Sequence, residues 1–242
     1  MPATTTITTL TVIIPVYNEV RTIASVIARV GAVDVRGLRK ELIIVDDGST
    51  DGTRGVLESV RADGRARVIL QPINQGKGAA VRAGINAATG ELVIIQDADL
   101  ELSPDDYPRL VAPFLDDPST QVVFGSRFLD GRHAGQTLAV FANRLLTGLT
   151  NLLYGSALTD METCYKLCRA DVLKTLELES DRFEIEPEIT SKLLRRGYTL
   201  REVAVSYQPR SRSEGKTINW KDGVRAVVTL VTWRLARMDR KG

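Results

Sequence analysis

Cysteine, histidine and aromatic residues are scarce in this chain of 242 residues, which holds two Cys, one His and only 5% Phe, Trp and Tyr. Cys164 and Cys168 cannot build a disulfide framework, and no second cysteine pair or histidine cluster completes a zinc site with them. A reducing, cytoplasmic setting and structural cysteines are expected. His133 sits in a glycine-rich loop and is given no catalytic role. No run of eighteen apolar residues occurs, so no membrane-spanning helix is expected. The Thr-rich beginning has no basic stretch followed by an apolar core, the pattern of a secretion signal. Apolar residues at 43% and charged residues at 26% are ordinary for a folded globular chain and exclude disorder, collagen-like repeats and coiled coil as the main theme. The length suits one large α/β domain or two small ones.

An overall excess of charge is missing too, at 32 basic against 30 acidic residues. The distribution is uneven. Residues 201–242 carry ten Lys and Arg against four Asp and Glu, leaving the tail at +6 and the remainder at −4. A basic tail on a mildly acidic body suggests an anionic partner, whether membrane headgroups, a phosphorylated substrate or nucleic acid.

What is present is alternation. Apolar, β-branched runs at Thr11–Val16, Glu41–Asp46, Ala66–Gln71, Glu91–Gln96 and Gln121–Gly125 read as strands. Helical patterns fall between them at Val20–Val30, Thr53–Ala62, Lys77–Ala88 and Pro104–Leu115. Strands without polar interiors, separated by helices, predict a doubly wound, mostly parallel sheet with helices on both faces. Ligands bind such sheets beyond the carboxyl ends of the strands. Five polar clusters follow the five strands, and on this fold they converge on one crevice. The second half holds a largely apolar segment, Leu138–Tyr154, then a helix near Pro187–Arg196, a strand near Leu200–Tyr207 and a basic loop, Pro209–Lys216. A final amphipathic helix covers roughly Trp220–Met238, with Val224, Val227, Val228, Val231 and Leu235 on one face and arginines around it. It can lie in a membrane interface or pack on the sheet. One domain over 1–242 is expected, with a nucleotide- and metal-binding half at about 10–127, an acceptor-side half at about 128–217 and the terminal helix at about 218–242.

Each cluster has a chemical reading. Asp97, Asp99 and Glu101 stand at alternate positions after an apolar strand, where carboxylates can hold Mg2+ or Mn2+ together with substrate phosphates; the plainer alternative is a solvated turn capping the next helix. Asp46 and Asp47 can accept from the N–H edge of a nucleobase, or, with Asp51, serve the start of a helix. Glu19, after Tyr17 and Asn18, carries the same two readings. Gly76, Lys77 and Gly78 open a helix where backbone N–H groups and a lysine suit a diphosphate, or form a plain loop and cap; the spacing is not that of a Walker A loop. Arg127, Arg210, Arg212 and Lys216 are candidates for phosphate recognition, with Arg212 read as a solvated charge.

In this order, the motifs Pro15-Val16-Tyr17-Asn18-Glu19, Asp46-Asp47-Gly48-Ser49 and Asp97-Ala98-Asp99 resemble those of the family-2 inverting glycosyltransferases with the GT-A fold. Gly76-Lys77-Gly78, Gly125-Ser126-Arg127, the Thr159–Lys166 segment and the Arg210–Lys216 loop are similar to the dolichyl-phosphate mannose and glucose synthases. The resemblance implies that Pro15, Tyr17, Glu19, Asp46 and Asp47 hold the base and ribose. It implies that Asp97 and Asp99 bind the metal, with Glu101 where several relatives have Gln. Arg127, Arg210 and Lys216 match positions that embrace the donor diphosphate and the acceptor phosphate. The expected reaction moves a hexose from GDP-mannose or UDP-glucose to a polyprenyl phosphate, on the cytoplasmic face of a membrane or beside a membrane-spanning partner, without nucleic acid. A sugar hydroxyl acceptor would instead require a base, for which Asp160 and Glu162 are the candidates. A nucleotidyltransferase and a non-catalytic nucleotide-sugar-binding protein are the remaining alternatives.

Overall fold

The structure, a computed structural model, describes residues 6–131, 138–209 and 220–237. Its first half alternates strand and helix: β1 (Thr9–Val16), α1 (Ile23–Ala32), β2 (Arg39–Asp46), α2 (Thr53–Ala62), β3 (Arg67–Leu70), α3 (Lys77–Ala87), β4 (Leu92–Ile95), α4 (Tyr107–Asp116) and β5 (Val122–Ser126). These are the elements the hydrophobic pattern predicts, in the same order. Val12, Ile13 and Ile14 of β1, Ile43, Ile44 and Val45 of β2 and all of β4 are fully buried. Continuous apolar runs of this kind arise because helices cover both faces of the sheet.

The second half holds α5 (Leu138–Tyr154), β6 (Lys166–Arg169), α6 (Ala170–Thr175), α7 (Ile185–Arg195), β7 (Leu200–Ala204) and α8 (Trp220–Leu235). The seven strands are ordered β3-β2-β1-β4-β6-β5-β7. Strand β6 was not anticipated; it lies antiparallel between β4 and β5, so the sheet is mixed, and mostly parallel as expected. The predicted strand near Leu200–Tyr207 is shorter, ending at Ala204, with Tyr207 making an isolated bridge to Leu102.

Register places the site. Val16 pairs with Asp46, and Ile13 pairs with Ile95, so Tyr17, Asp47 and Asp97 lie beyond one edge of the sheet. Strand β5 runs the same way, being antiparallel to β6 as β4 is, and delivers Arg127 to that edge. A smaller apolar cluster lies apart from the main core, formed by Leu146, Met161, Ala226 and Leu230 where α5 meets α8. Tyr154 Oη donates to Leu230 O at 2.6 Å, and Arg234 Nε to Leu153 O at 2.7 Å, fixing that contact. Only Ala226 and Leu230 of α8 are buried. Its Val224, Val228 and Leu235 stay exposed, as do Phe141, Leu145 and Leu152 of α5.

Candidate active site

The loops after β1 and β2 are stitched together. Asn18 N donates to Ser49 Oγ at 3.0 Å, Thr50 N to Asn18 Oδ1 at 2.8 Å, and Glu19 N to Thr53 Oγ1 at 3.0 Å. Asp51 accepts from Thr53 N at 3.0 Å and so serves the start of α2, the use expected of it. Pro15 is buried inside β1, whereas Tyr17 is 46% exposed at the crevice edge. The Glu19 carboxylate accepts from Thr22 Oγ1 at 2.7 Å, within the first turn before α1.

The paired aspartates organise the crevice wall from within. Asp46 is fully buried; it accepts from Ser49 N and from Arg54 Nε at 2.7 Å. Asp47 accepts from Gln75 N and Gly76 N, both at 2.7 Å. Burial pushes the Asp47 carboxyl up, and those two N–H groups oppose the shift. Of the N–H groups expected to cradle a diphosphate at the start of α3, that of Gly76 is therefore bonded to Asp47. The glycines have a packing reason as well. A Cβ on Gly78 would meet Ser180 O and stand 2.8 Å from Asp181 C, and one on Gly76 would stand 2.8 Å from Arg182 Cγ. Ala79 N donates to Asp181 O at 3.0 Å, completing a close crossing of the 180–182 backbone over α3.

Lys77 is also engaged inside the protein. Its Nζ lies 2.7 Å from Asp97 Oδ1 and 3.0 Å from Glu186 Oε1, the latter an ion pair outside hydrogen-bonding geometry. Burial lowers the Lys77 pKa, but the charges of Asp97 and Glu186 outweigh it, and the ammonium titrates well above its ordinary range. Glu186 Oε2 in turn accepts from Lys166 Nζ at 2.6 Å, and Lys166 is fully buried. Lys166 also donates to Met161 O at 3.0 Å and to Thr163 O. The charges thus alternate along Asp97, Lys77, Glu186 and Lys166, an arrangement that offsets the cost of burying each. Behind it, Gln96 Oε1 accepts from Tyr107 Oη and Tyr165 Oη, both at 2.7 Å, while its Nε2 donates to Asp97 O at 2.9 Å. Cys164 Sγ donates to Ile95 O at 3.3 Å; burial holds its thiol well above the usual range, in keeping with a structural role.

Asp97 and Asp99 are half-buried at the end of β4. Leu100 adopts φ 62°, and Asp99 Oδ1 accepts from Glu101 N at 3.0 Å, closing a tight turn. The turn carries Glu101 away: its Oε2 accepts from Tyr207 Oη at 3.3 Å. Among the described residues no three acidic, His or Cys side chains gather closely enough to hold a metal ion. The expected third carboxylate, Glu101, is thus not gathered with Asp97 and Asp99 into one group. Two partly exposed carboxylates remain, a donor set that suits a hard divalent ion whose other ligands are waters and substrate phosphates.

At the end of β5, Arg127 grips Asp160 with a fork. Nε and Nη2 each donate to the carboxylate at 2.7 Å, and the backbone N donates at 3.0 Å. Asn143 Nδ2, from α5, donates to the same carboxylate at 2.9 Å. Asp160 is fully buried, and its carboxylate is committed to holding Arg127 rather than placed as a free base. Arg127 also lies over the Tyr207 ring, 5.2 Å from its centroid. Burial lowers the guanidinium pKa, but the Asp160 bonds more than reverse this, so the charge is permanent. Glu162 stands beside this pair and Lys166, and burial pushes its carboxyl up to about 7. Arg210, Arg212, Lys216 and His133 lie outside the described residues.

Sequence reading missed Glu186, Asn143 and Gln96. Glu186 is one of three carboxylates around the start of α7, a placement the helix dipole already explains. The only signal was indirect: two lysines near apolar strand ends require a buried counter-charge.

Comparison with known proteins gives concordant matches. Residues 11–177 match the family described as Glycosyl transferase family 2. The undecaprenyl-phosphate 4-deoxy-4-formamido-L-arabinose transferase of Edwardsiella ictaluri is 31% identical over 214 residues, covering 87% of this chain and 63% of that protein. Glycosyltransferase AglJ of Haloferax volcanii is 30% identical over 234 residues, covering 94% and 72%. Dodecaprenyl-phosphate galacturonate synthase of Rhizobium johnstonii is 30% identical over 210 residues, covering 86% and 61%. The chain thus spans about three fifths of the length of several curated relatives it matches. Among solved structures, glucosyl-3-phosphoglycerate synthase from Mycobacterium tuberculosis, in complex with Mn2+, UDP and phosphoglyceric acid, superposes with a TM-score of 0.71. It is 24% identical, with 96% of this chain and 80% of that chain covered, a likeness of fold.

Proposed function

The chain belongs to glycosyl transferase family 2, and from that premise we propose that it moves a hexose, with inversion, from a nucleotide sugar to a polyprenyl phosphate at a membrane surface. UDP-glucose and GDP-mannose are the proposed donors. The observation that carries the acceptor is the double use of α5. One face holds Asn143, which fixes Asp160 and through it the Arg127 cation. The other face exposes Phe141, Leu145 and Leu152. A polyprenyl phosphate joins an anion to a hydrocarbon chain, and this helix offers a positioned cation beside an apolar surface. The exposed valines of α8, flanked by Arg225 and Arg234, extend that surface and favour a peripheral position on an anionic membrane. The polyprenyl-phosphate names of two relatives support the same class of acceptor.

The chemistry asks for charge control. A phosphate oxygen of the acceptor attacks the anomeric carbon while the bond from that carbon to the diphosphate oxygen breaks, its electron pair leaving with the nucleoside diphosphate. The monoester is largely ionised near neutral pH, its second pKa being about 6, so no side chain must remove a proton. Arg127, anchored by Asp160, draws the incoming phosphate, and its Nη1 takes no part in that anchoring. Arg210 and Lys216 are proposed to add to this field. Tyr17, Glu19 and the Asp46–Asp47 wall line the base and ribose side, with Gly76 and Lys77 fixing the wall rather than touching phosphate. Asp97 and Asp99 would hold Mg2+ or Mn2+, which when bound supplies positive charge to the leaving diphosphate. Lys77 keeps Asp97 oriented and Gln96 keeps its backbone in place.

A second reading is a soluble hydroxyl acceptor. Glu162 favours it, since a carboxyl near pKa 7 suits a general base. Labelled UDP-glucose and GDP-mannose, incubated with Mg2+ or Mn2+ and polyprenyl monophosphate in detergent, separate the two. Label is expected in the organic phase with release of nucleoside diphosphate. Label that stays wholly aqueous, or release of pyrophosphate, overturns the proposal. Chelation should stop transfer, and Mn2+ binding to the donor-bound protein, followed by electron paramagnetic resonance, should be lost in Asp99→Ala.

A further inference from the structure

One half-buried acid at this site has no stated use in phosphate transfer. Glu162 Oε1 is shielded from solvent and has no hydrogen-bond partner among the described residues. The cations beside it are committed elsewhere: Lys166 to Met161 O, Thr163 O and Glu186, and the Arg127 fork to Asp160. Buried polar atoms are nearly always paired, and an unpaired carboxylate oxygen is among the costliest to leave so. Its location narrows the partner. Glu162 follows Asp160, which grips Arg127, by two residues, and the carbonyls of its neighbours Met161 and Thr163 accept from Lys166, which leads through Glu186 to Lys77 and Asp97. In an inverting displacement the hexose must lie between the leaving diphosphate and the incoming phosphate. On the functional reading above, those two groups belong to the Asp97 side and the Arg127 side, so the interval that Glu162 occupies is the interval of the sugar ring.

We propose that Glu162 Oε1 accepts a hydrogen bond from a hydroxyl group of the transferred hexose, and that it thereby selects which sugar nucleotide is used. The proposal rests on the transferase reading and gives Glu162 a sugar-recognition role instead of a proton-removing one. The second wall of the subsite is the Glu186–Lys166 pair, in which Glu186 Oε2 accepts from Lys166 while Glu186 Oε1, likewise without a hydrogen-bond partner among the described residues, faces the Lys77 charge at 3.0 Å.

The test separates sugar from nucleotide. Calorimetric titrations of wild type, Glu162→Gln and Glu162→Ala use UDP, UDP-glucose, GDP and GDP-mannose, and turnover is followed with polyprenyl monophosphate. In Glu162→Ala, affinity for the preferred sugar nucleotide should fall about ten- to a hundred-fold, the range for a hydrogen bond to a charged group, while affinity for the matching nucleoside diphosphate stays nearly constant. Glu162→Gln still presents an amide oxygen and should bind the sugar nucleotide more tightly than Glu162→Ala does. A single deoxy analogue of the hexose should bind wild type and Glu162→Ala about equally. Equal losses for nucleotide and sugar nucleotide in Glu162→Ala, or no loss for either, overturn the proposal. So does a Glu162→Gln protein that binds donor like wild type yet does not turn over, because that result makes Glu162 the base of a hydroxyl-acceptor enzyme. If wild type binds the nucleotides but transfers nothing to polyprenyl phosphate, the acceptor reading fails while the binding titrations still judge Glu162. If wild type binds none of them, both fall together.

Discussion

Replacing Asp160 with alanine removes the carboxylate that accepts four hydrogen bonds, three from Arg127 and one from Asn143. Asp160 is fully buried and the Arg127 side chain only 15% exposed, so the guanidinium left behind cannot turn to water without repacking. Breaking a buried pair from one side costs about 3–5 kcal/mol, most of it from the stranded charge. For a chain of this size each kcal/mol lowers the melting temperature by about 2–4 °C, so Asp160→Ala should melt roughly 6–20 °C below wild type. The double variant Arg127→Met/Asp160→Leu tests the cause, since apolar replacement of both partners is often close to neutral. It should recover at least half of the loss, in a melting experiment at low salt and again at high salt, because a pair this buried is weakly screened. A melting temperature for Asp160→Ala within about 1 °C of wild type, or a double variant as unstable as the sum of the single ones, would refute the assignment of Asp160 as the anchor of Arg127.

Three further outcomes follow from particular contacts. Gly78→Ala gains about 1 kcal/mol of helix propensity but drives a methyl group into the Ser180–Asp181 backbone, a clash of about 1–3 kcal/mol or more; urea denaturation should show net destabilisation, and a more stable variant would mean that the crossing is loose. Glu162 is held near pKa 7 by burial, above its ordinary carboxylate value, so between those pH values the folded protein retains a proton that the unfolded chain has lost, and its contribution to stability falls as pH rises through that window. Glu162→Gln should therefore gain stability over wild type as pH rises toward 7.5, and parallel stability curves would show that the carboxyl titrates normally. Leu152→Asp with Val228→Asp, at positions 81% and 57% exposed, should leave the melting temperature almost unchanged yet reduce co-sedimentation with phosphatidylcholine–phosphatidylglycerol vesicles by at least about five-fold; undiminished binding would remove α5 and α8 from the membrane face.

The parts of the fold that sequence announced are those whose signal is local. Leu92–Ile95 is buried on both faces and reads as a strand from four consecutive apolar residues. The four residues of β6 gave no such signal, because Lys166 and Arg169 bound it. Lys166 can be buried at the start of the strand because Glu186, from a helix twenty residues away, neutralises it, and Arg169 closes the strand while donating to Thr120 O and Pro118 O. The same limit governs the site. Residue type and pattern predicted a cationic Lys77 at the start of a helix and a cationic Arg127 at a strand end, and they are there. It did not predict that each would be held by a carboxylate from a distant segment, Lys77 by Asp97 and Glu186 and Arg127 by Asp160. Charge belongs to a residue, but the availability of that charge belongs to its neighbours. For this chain the difference bears on the proposed chemistry: a lysine engaged by two acids is placed to orient Asp97, and an acid holding a guanidinium in two places is a poor proton acceptor. Glu162 Oε1 and Glu186 Oε1 keep unused hydrogen-bonding capacity, and that too is a property of their neighbours which residue type alone does not carry.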